Sequence, residues 1–233
     1  MITRSTRISR RKQEILLRRF IRKDTAIAAA KEACVNRNTA NLYFNHFREK
    51  IYEFQMKAPR FNGEVEMDQA FFGKGVRRRT YEQRYRQGDW TPRVVYSKKK
   101  NNKVMVFGMY QRGGNVYTRI IEKADRKTLF PIIHMVVEGG ATIYTDKWAG
   151  FNGLKIDGYT HKSVNHSLGP VGPEGAHTGG IDSFWSFSKG LMYRFRGISR
   201  RTFAYHLKEC EFRWNHRGKD NEKELSRVLR RII

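Results

Sequence analysis

Three aspartates could do chemistry together. Asp68, Asp146 and Asp182 lie 78 and 36 residues apart, and each falls where a different element is expected. Carboxylate oxygens are the hard ligands that Mg²⁺ takes. Two such ions about 3.5–4 Å apart clamp both oxygens of an in-line displacement at phosphorus. The chemistry open to the set, should the three converge, is two-metal catalysis. Around the third acid the chain reads Gly180-Ile181-Asp182-Ser183-Phe184-Trp185-Ser186-Phe187-Ser188-Lys189. Asp182, Trp185, Ser186 and Lys189 fall at i, i+3, i+4 and i+7. One helix face would carry a carboxylate and, two turns on, an ammonium. An amphipathic helix with an incidental charge pair explains that spacing equally well until the two upstream acids are counted.

The elements that must position these acids follow from pattern. Glu64 to Phe72 alternates acid and apolar residues as a half-buried strand does, with Asp68 on the side of Glu64 and Glu66. Exposed edge acids are the plain alternative. Strands are predicted over 104–110 and 116–121, joined by a Gly113-Gly114-Asn115 turn, and a helix over 127–137 stopped by Gly139-Gly140. A short strand 141–146 ends in Asp146, and catalytic groups favour the carboxyl ends of strands in open α/β sheets. A small strand near 163–165, a Gly- and Pro-rich loop over 169–180, the Asp182 helix and a closing helix over 201–214 complete the order. Strand, strand, strand, helix, strand is the order of a ribonuclease-H-like sheet. Upstream, helices are predicted from Ser9 to Arg22, Thr25 to Ala33 and Arg37 to Glu49, with Cys34-Val35-Asn36 as the turn between the last two. Helix, short turn, helix is the helix-turn-helix plan. Arg37, Asn38 and Asn41 on its second helix are residue types that bind base edges bidentately; a basic three-helix bundle without sequence readout is the alternative.

The chain has 233 residues and a formal net charge of +25, which points to a polyanionic partner, most simply nucleic acid. The charge is partitioned. Residues 1–63 carry +10, 74–103 carry +9 and 189–233 carry +8, whereas the remainder carries −2. Within 74–93 the basic residues Arg77, Arg78, Arg79, Arg84, Arg86 and Arg93 have Tyr81, Tyr85 and Trp90 between them. This reads as an inserted flexible loop suited to backbone contacts and base stacking. Cys34 and Cys210 form no C-x-x-C pair, which speaks against a disulfide framework or a zinc ribbon and fits a reducing compartment. No apolar run is long enough to span a bilayer, and Met1 to Ser5 lacks the apolar core of a secretory signal.

Four blocks taken together resemble one family. Glu66-Met67-Asp68-Gln69-Ala70-Phe71-Phe72-Gly73 resembles the first catalytic strand of bacterial DDE-type insertion-sequence transposases related to the eukaryotic Merlin elements (ISXO2-like), and Tyr144-Thr145-Asp146 resembles the second. Val164-Asn165-His166-Ser167 and His177-Thr178-Gly179-Gly180-Ile181-Asp182-Ser183-Phe184-Trp185, with Lys189, resemble the third. Glu209-Cys210-Glu211-Phe212-Arg213-Trp214-Asn215 resembles the closing helix. The chain departs from the family in having Asp182 where Glu is usual and Gly179 where Asn is usual. Glu174 is a weaker candidate acid.

The resemblance implies an α/β chain. Residues 1–56 form a helix-turn-helix DNA-binding region, 64–217 a ribonuclease-H-like catalytic domain with a basic insertion, and 218–233 a basic tail. It implies a DNA transposase that binds the terminal inverted repeats of its own element, cuts the ends and joins the 3′-hydroxyls to target DNA. Asp68, Asp146 and Asp182 would hold two Mg²⁺ ions, with Mn²⁺ able to substitute, and Lys189 would meet a phosphate near the scissile bond. His166 and His177 are candidates for DNA contact or for shaping the site, against the plainer reading of structural histidines. The implied partners are double-stranded DNA and further copies of the chain, as a homodimer or higher oligomer on DNA. No membrane and no small-molecule substrate is implied, and the setting is the bacterial cytoplasm and nucleoid. Two alternatives stay open: a ribonuclease-H-fold nuclease such as a junction resolvase, and a DNA-binding protein whose catalytic domain is impaired at Asp182.

Overall fold

The computed structural model describes residues 8–55, 57–73, 79–86, 89–96, 103–146, 157–164, 177–195, 197–217 and 221–230, with backbone alone for 79–86 and 89–96. Its centre is strand β1, Glu64–Phe72. Val65 and Met67 are buried in one apolar cluster, Ala70 and Phe72 in another, so alternation along the strand feeds two cores. A strand covered on both faces belongs in the middle of a sheet. Strand β4 (Val104–Gln111) runs antiparallel on one side of β1 and β6 (Thr142–Asp146) parallel on the other. With β5 (Val116–Ile121) and β7 (Thr160–Val164), the five-stranded order is β5-β4-β1-β6-β7. This agrees with the ribonuclease-H-like order predicted above. Gly113, at φ +72°, supplies the left-handed residue that the β4–β5 turn requires.

Helix α4 (Arg126–Val136) is capped by the Asp125 carboxylate, which accepts the Thr128 N–H at 3.0 Å. It buries Leu129, Phe130, Ile133 and Val136 on one face of the sheet. Helices α5 (Gly179–Tyr193) and α6 (Phe203–Asn215) cover the other face with Ile181, Phe184, Trp185, Leu207 and Cys210.

Before the sheet come α1 (Arg10–Ile21), α2 (Ala26–Ala33) and α3 (Arg37–Phe54). The Thr25 hydroxyl caps α2 through the Ala28 N–H, and the Asn36 side-chain Oδ1 caps α3 through the Asn38 N–H at 2.8 Å. Cys34 turns the chain between them at φ 49°. Leu16, Phe20, Ala29, Ala33, Phe44 and Phe47 form the common core of the three helices. Small alanines on α2 let them approach closely. Helix α3 runs five residues beyond the predicted Glu49, because Ile51 continues its buried face.

Two expectations differ from the structure. The insertion read as a flexible loop contains an antiparallel ribbon, β2 (Arg79–Arg86) with β3 (Asp89–Tyr96). Thr80, Tyr81, Tyr85, Trp90, Val94, Val95 and Tyr96 are strand formers, and the arginines between them mask the signal. Pro92 is tolerated because each strand of a two-stranded ribbon has an open edge. The stretch 218–233, read as a basic tail, contains helix α7 (Asn221–Arg230), whose Leu225 and Leu229 are fully buried against the N-terminal helices.

Helix α6 joins the helical part to the sheet through buried charges. Glu209 receives Arg48 Nε of α3 at 2.7 Å and Arg213 Nε at 2.8 Å, and Arg213 also donates to the Phe20 and Ile21 carbonyls that end α1. Two residues on, Glu211 accepts the Thr118 N–H and hydroxyl of β5 at 2.8 and 2.6 Å, and Lys208 Nζ at 2.7 Å. No described helix is long and apolar enough to cross a membrane.

Candidate active site

Parallel pairing of β1 and β6 sets Met67 opposite Thr145. Continuing that register by one residue brings Asp68 level with Asp146 at the end of β6. Asp68 is half-buried. Burial raises its proton affinity, and the charges of Asp146 and Asp182 act in the same direction, so that its pKa is pushed up to about 6. The structure thus brings Asp182 into the electrostatic field of the strand acids. Asp182 lies in the first turn of α5, where the helix dipole favours a carboxylate. It is exposed, and its Oδ2 accepts the Thr178 hydroxyl at 3.2 Å. Lys189, two turns on, is also exposed, with Nζ 5.9 Å from the Phe72 ring centroid.

Glu66 fixes where α5 begins. It is 1% exposed, and its Oε2 accepts the Gly180 and Ile181 N–H groups at 2.8 and 2.9 Å. Its Oε1 accepts Arg112 Nε at 3.0 Å, and Arg112 also donates to the His177 carbonyl at 2.9 Å and stacks 3.7 Å over the Tyr144 ring. A buried carboxylate against open helix N–H groups is the stable arrangement of charge and dipole. Gly180 is required there: a Cβ would come within 2.1 Å of the Tyr110 ring and 2.9 Å of Glu66 Oε2.

The other predicted residues fall as follows. Arg37 and Asn38 are exposed in the first turn of α3, and Asn41 is half-buried one turn further. His177 Nδ1 lies 3.3 Å from the Gly179 nitrogen and 3.5 Å from Glu66 Oε1, so its ring is tied to the start of α5. Arg79 opens β2. Arg77, Arg78, His166 and Glu174 lie outside the described residues. Sequence reasoning missed Glu66 and Arg112 as builders of the site. Alternation did place Glu66 on the side of Asp68, and an acid on a face otherwise burying Ala70 and Phe72 was the available signal.

The donor set fits a divalent cation in kind: three carboxylates of hard oxygens, with a like-charge field that a cation relieves. As placed, no three His, Cys, Asp or Glu side chains among the described residues are close enough together to hold one ion. Asp182 is the exposed member, engaged by Thr178 of its own turn.

An α/β sheet of this order, with helices on both faces and strand acids at its centre, is of the ribonuclease-H-like class. The chain belongs to the ISXO2-like transposase domain family, whose profile matches residues 60–215. This makes it a transposase. It is 33% identical over 101 residues to an uncharacterized transposase-like protein of Haemophilus influenzae, an alignment covering 43% of this chain and 81% of that protein. Among solved structures, the mariner Mos1 paired end complex with Mg aligns at 13% identity and TM-score 0.38, over 97% of this chain and 78% of that one. The Mos1 strand transfer complex aligns at 11% and 0.34, over 92% and 74%. At such scores the fold assignment rests on the chain's own strand order and on the family match.

Proposed function

We propose that this transposase grips duplex DNA with its N-terminal helices and basic ribbon, and cuts and joins strands at a site built from Asp68, Asp146 and Asp182. The observation that supports this reading is the register of β1 and β6: continued by one residue, it brings Asp68 level with Asp146, and Asp182 lies in the first turn of α5. Asp68 would be the shared ligand of two divalent cations, Mg²⁺ or Mn²⁺, with Asp146 on one and Asp182 on the other. When bound, such cations supply electrophilic polarisation of the phosphate and a more acidic water. The residues' own work is orientation and charge. Lys189 meets a non-bridging phosphate oxygen as a point charge. His177 and His166 border the DNA, as do Arg77, Arg78 and Arg79.

In the reaction, water attacks phosphorus at the element end and the P–O3′ bond breaks, leaving a 3′-hydroxyl. That hydroxyl then attacks a target phosphodiester in line and expels the target strand's 3′-oxygen. On α3, Arg37, Asn38 and Asn41 read base edges of the terminal inverted repeats, as the second helix of a helix-turn-helix does. Residues 1–56 then act as the recognition region and 64–217 as the catalytic domain, with two or more copies of the chain on DNA and the bacterial nucleoid as the place of action.

A duplex carrying the inverted repeats that flank the gene tests this. The chain with Mg²⁺ is expected to nick at the repeat boundary and join the freed end to a second duplex. Asp68→Asn and Asp146→Asn are expected to bind the same duplex with unchanged affinity and to cut neither strand. Cleavage by either variant would refute the site. One observation favours a second reading, a DNA-binding protein with an impaired catalytic domain: the exposed Asp182 carboxylate turned to Thr178.

A further inference from the structure

Among the described residues, Asp68 is held from another element by Trp185. Trp185 Nε1, on α5 one turn after Asp182, donates to Asp68 Oδ2 at 2.9 Å. The indole is buried, at 4% exposure, and is fixed from several sides. Phe72 meets it edge-on at 5.9 Å and Phe184 lies at 5.1 Å. Beneath it is Gly108, which pairs with Asp68 across β1 and β4. A Cβ at Gly108 would come within 2.5 and 2.6 Å of the indole Cζ2 and Cη2 atoms. The ring therefore rests directly on the backbone opposite Asp68, and only glycine leaves it room.

The chemistry of this partner is selective. An indole N–H donates one hydrogen bond and carries no charge. It occupies Oδ2 and fixes the carboxylate rotamer without neutralising it. A Lys or Arg in the same place would compete with a cation for the charge. The geometry points to Trp185 as a positioning residue: it orients Asp68 so that the carboxylate keeps its charge and presents Oδ1 to a divalent cation, with Gly108 as the seat of the ring. Because α5 carries both Trp185 and Asp182, a shift of this one helix moves a proposed ligand and the orienter of another together. The inference rests on the reading that Asp68 holds a divalent cation.

Mn²⁺ binding by the full-length chain, followed by the electron paramagnetic resonance of the free ion, tests both and separates them. Trp185→Phe removes the donor and most of the ring contact is kept. Benzothienylalanine at position 185 keeps the ring's size and replaces only the N–H with sulfur, so it holds the fold where Phe fails to. Either change is expected to weaken Mn²⁺ binding about 10-fold, the usual cost of losing a hydrogen bond to a metal ligand. The Mg²⁺ concentration needed for half-maximal cleavage should rise in the same proportion, with the rate at saturating metal largely recovered. Gly108→Ala, which displaces the ring, should reproduce the shift. Mn²⁺ binding lost in Asp68→Asn but unchanged with benzothienylalanine at 185 would overturn the role of Trp185 alone. Undiminished Mn²⁺ binding in Asp68→Asn would overturn the cation site and the inference with it.

Discussion

At the scale of single residues, the site depends on side chains that meet no substrate. Glu66 is buried to 1% exposure beside Arg112 and the open end of α5. Removing the Glu66 carboxylate leaves half-buried Arg112 with Glu64 at 3.5 Å as its remaining acid, and leaves the Gly180 and Ile181 N–H groups without an acceptor. Glu66→Ala should therefore destabilise the fold by about 2–5 kcal/mol, the sum of two unsatisfied donors. Glu66→Gln keeps one acceptor oxygen and should cost less, about 1–3 kcal/mol. Urea denaturation of the two variants checks the order. If both unfold at the midpoint of the unaltered chain, Glu66 does not anchor α5. The places of Asp68 within a strand and of Asp146 at the end of one were legible in the sequence, because each interrupts or ends an apolar run. Glu66 was read only as a member of the first block, since its role arises from the approach of Tyr110 and Gly180, which local pattern does not encode.

At the scale of elements, α6 binds the N-terminal helices to the sheet, and its charges set how the fold answers acid. Burial alone would raise the Glu209 carboxyl, but Arg48 and Arg213 outweigh it and hold the pKa at about 2. Burial and the Arg48 charge lower His206 to about 4 from its ordinary 6.5. A base whose folded pKa is depressed is protonated more readily in the unfolded chain. Stability is therefore lost as pH falls from about 6.5 to 4, by up to about 3 kcal/mol. A depressed carboxyl stabilises above its unfolded value, so Glu209 adds a second loss between about 4.5 and 2. Urea midpoints measured from pH 7 to 3 should show both stages, and His206→Leu should flatten only the first. An unchanged profile in that variant would remove His206 from the account. The strands and helices that bury regular apolar stripes were legible from periodicity. The charges of α6 were not: Arg48 and Glu209 are 161 residues apart in sequence, and charged residues on a helix read as solvated until a partner is placed against them. The β2–β3 ribbon was lost for a related reason, its strand formers being interleaved with arginine.

At the scale of the whole molecule, basic segments flank a near-neutral middle of the sequence, and α7 folds back onto the N-terminal helices. The central claim is that Asp68, Asp146 and Asp182 act as one site, and Asp182 is the exposed member, engaged by Thr178 of its own turn. Single-turnover cleavage of a pre-bound DNA end tests this most directly. If the three act together, Asp182→Ala should lose most of its cleavage while binding DNA normally, and Asp182→Glu, which reaches one methylene further from α5, should keep or raise it. Full cleavage by Asp182→Ala would contradict the account and exclude Asp182 from the site.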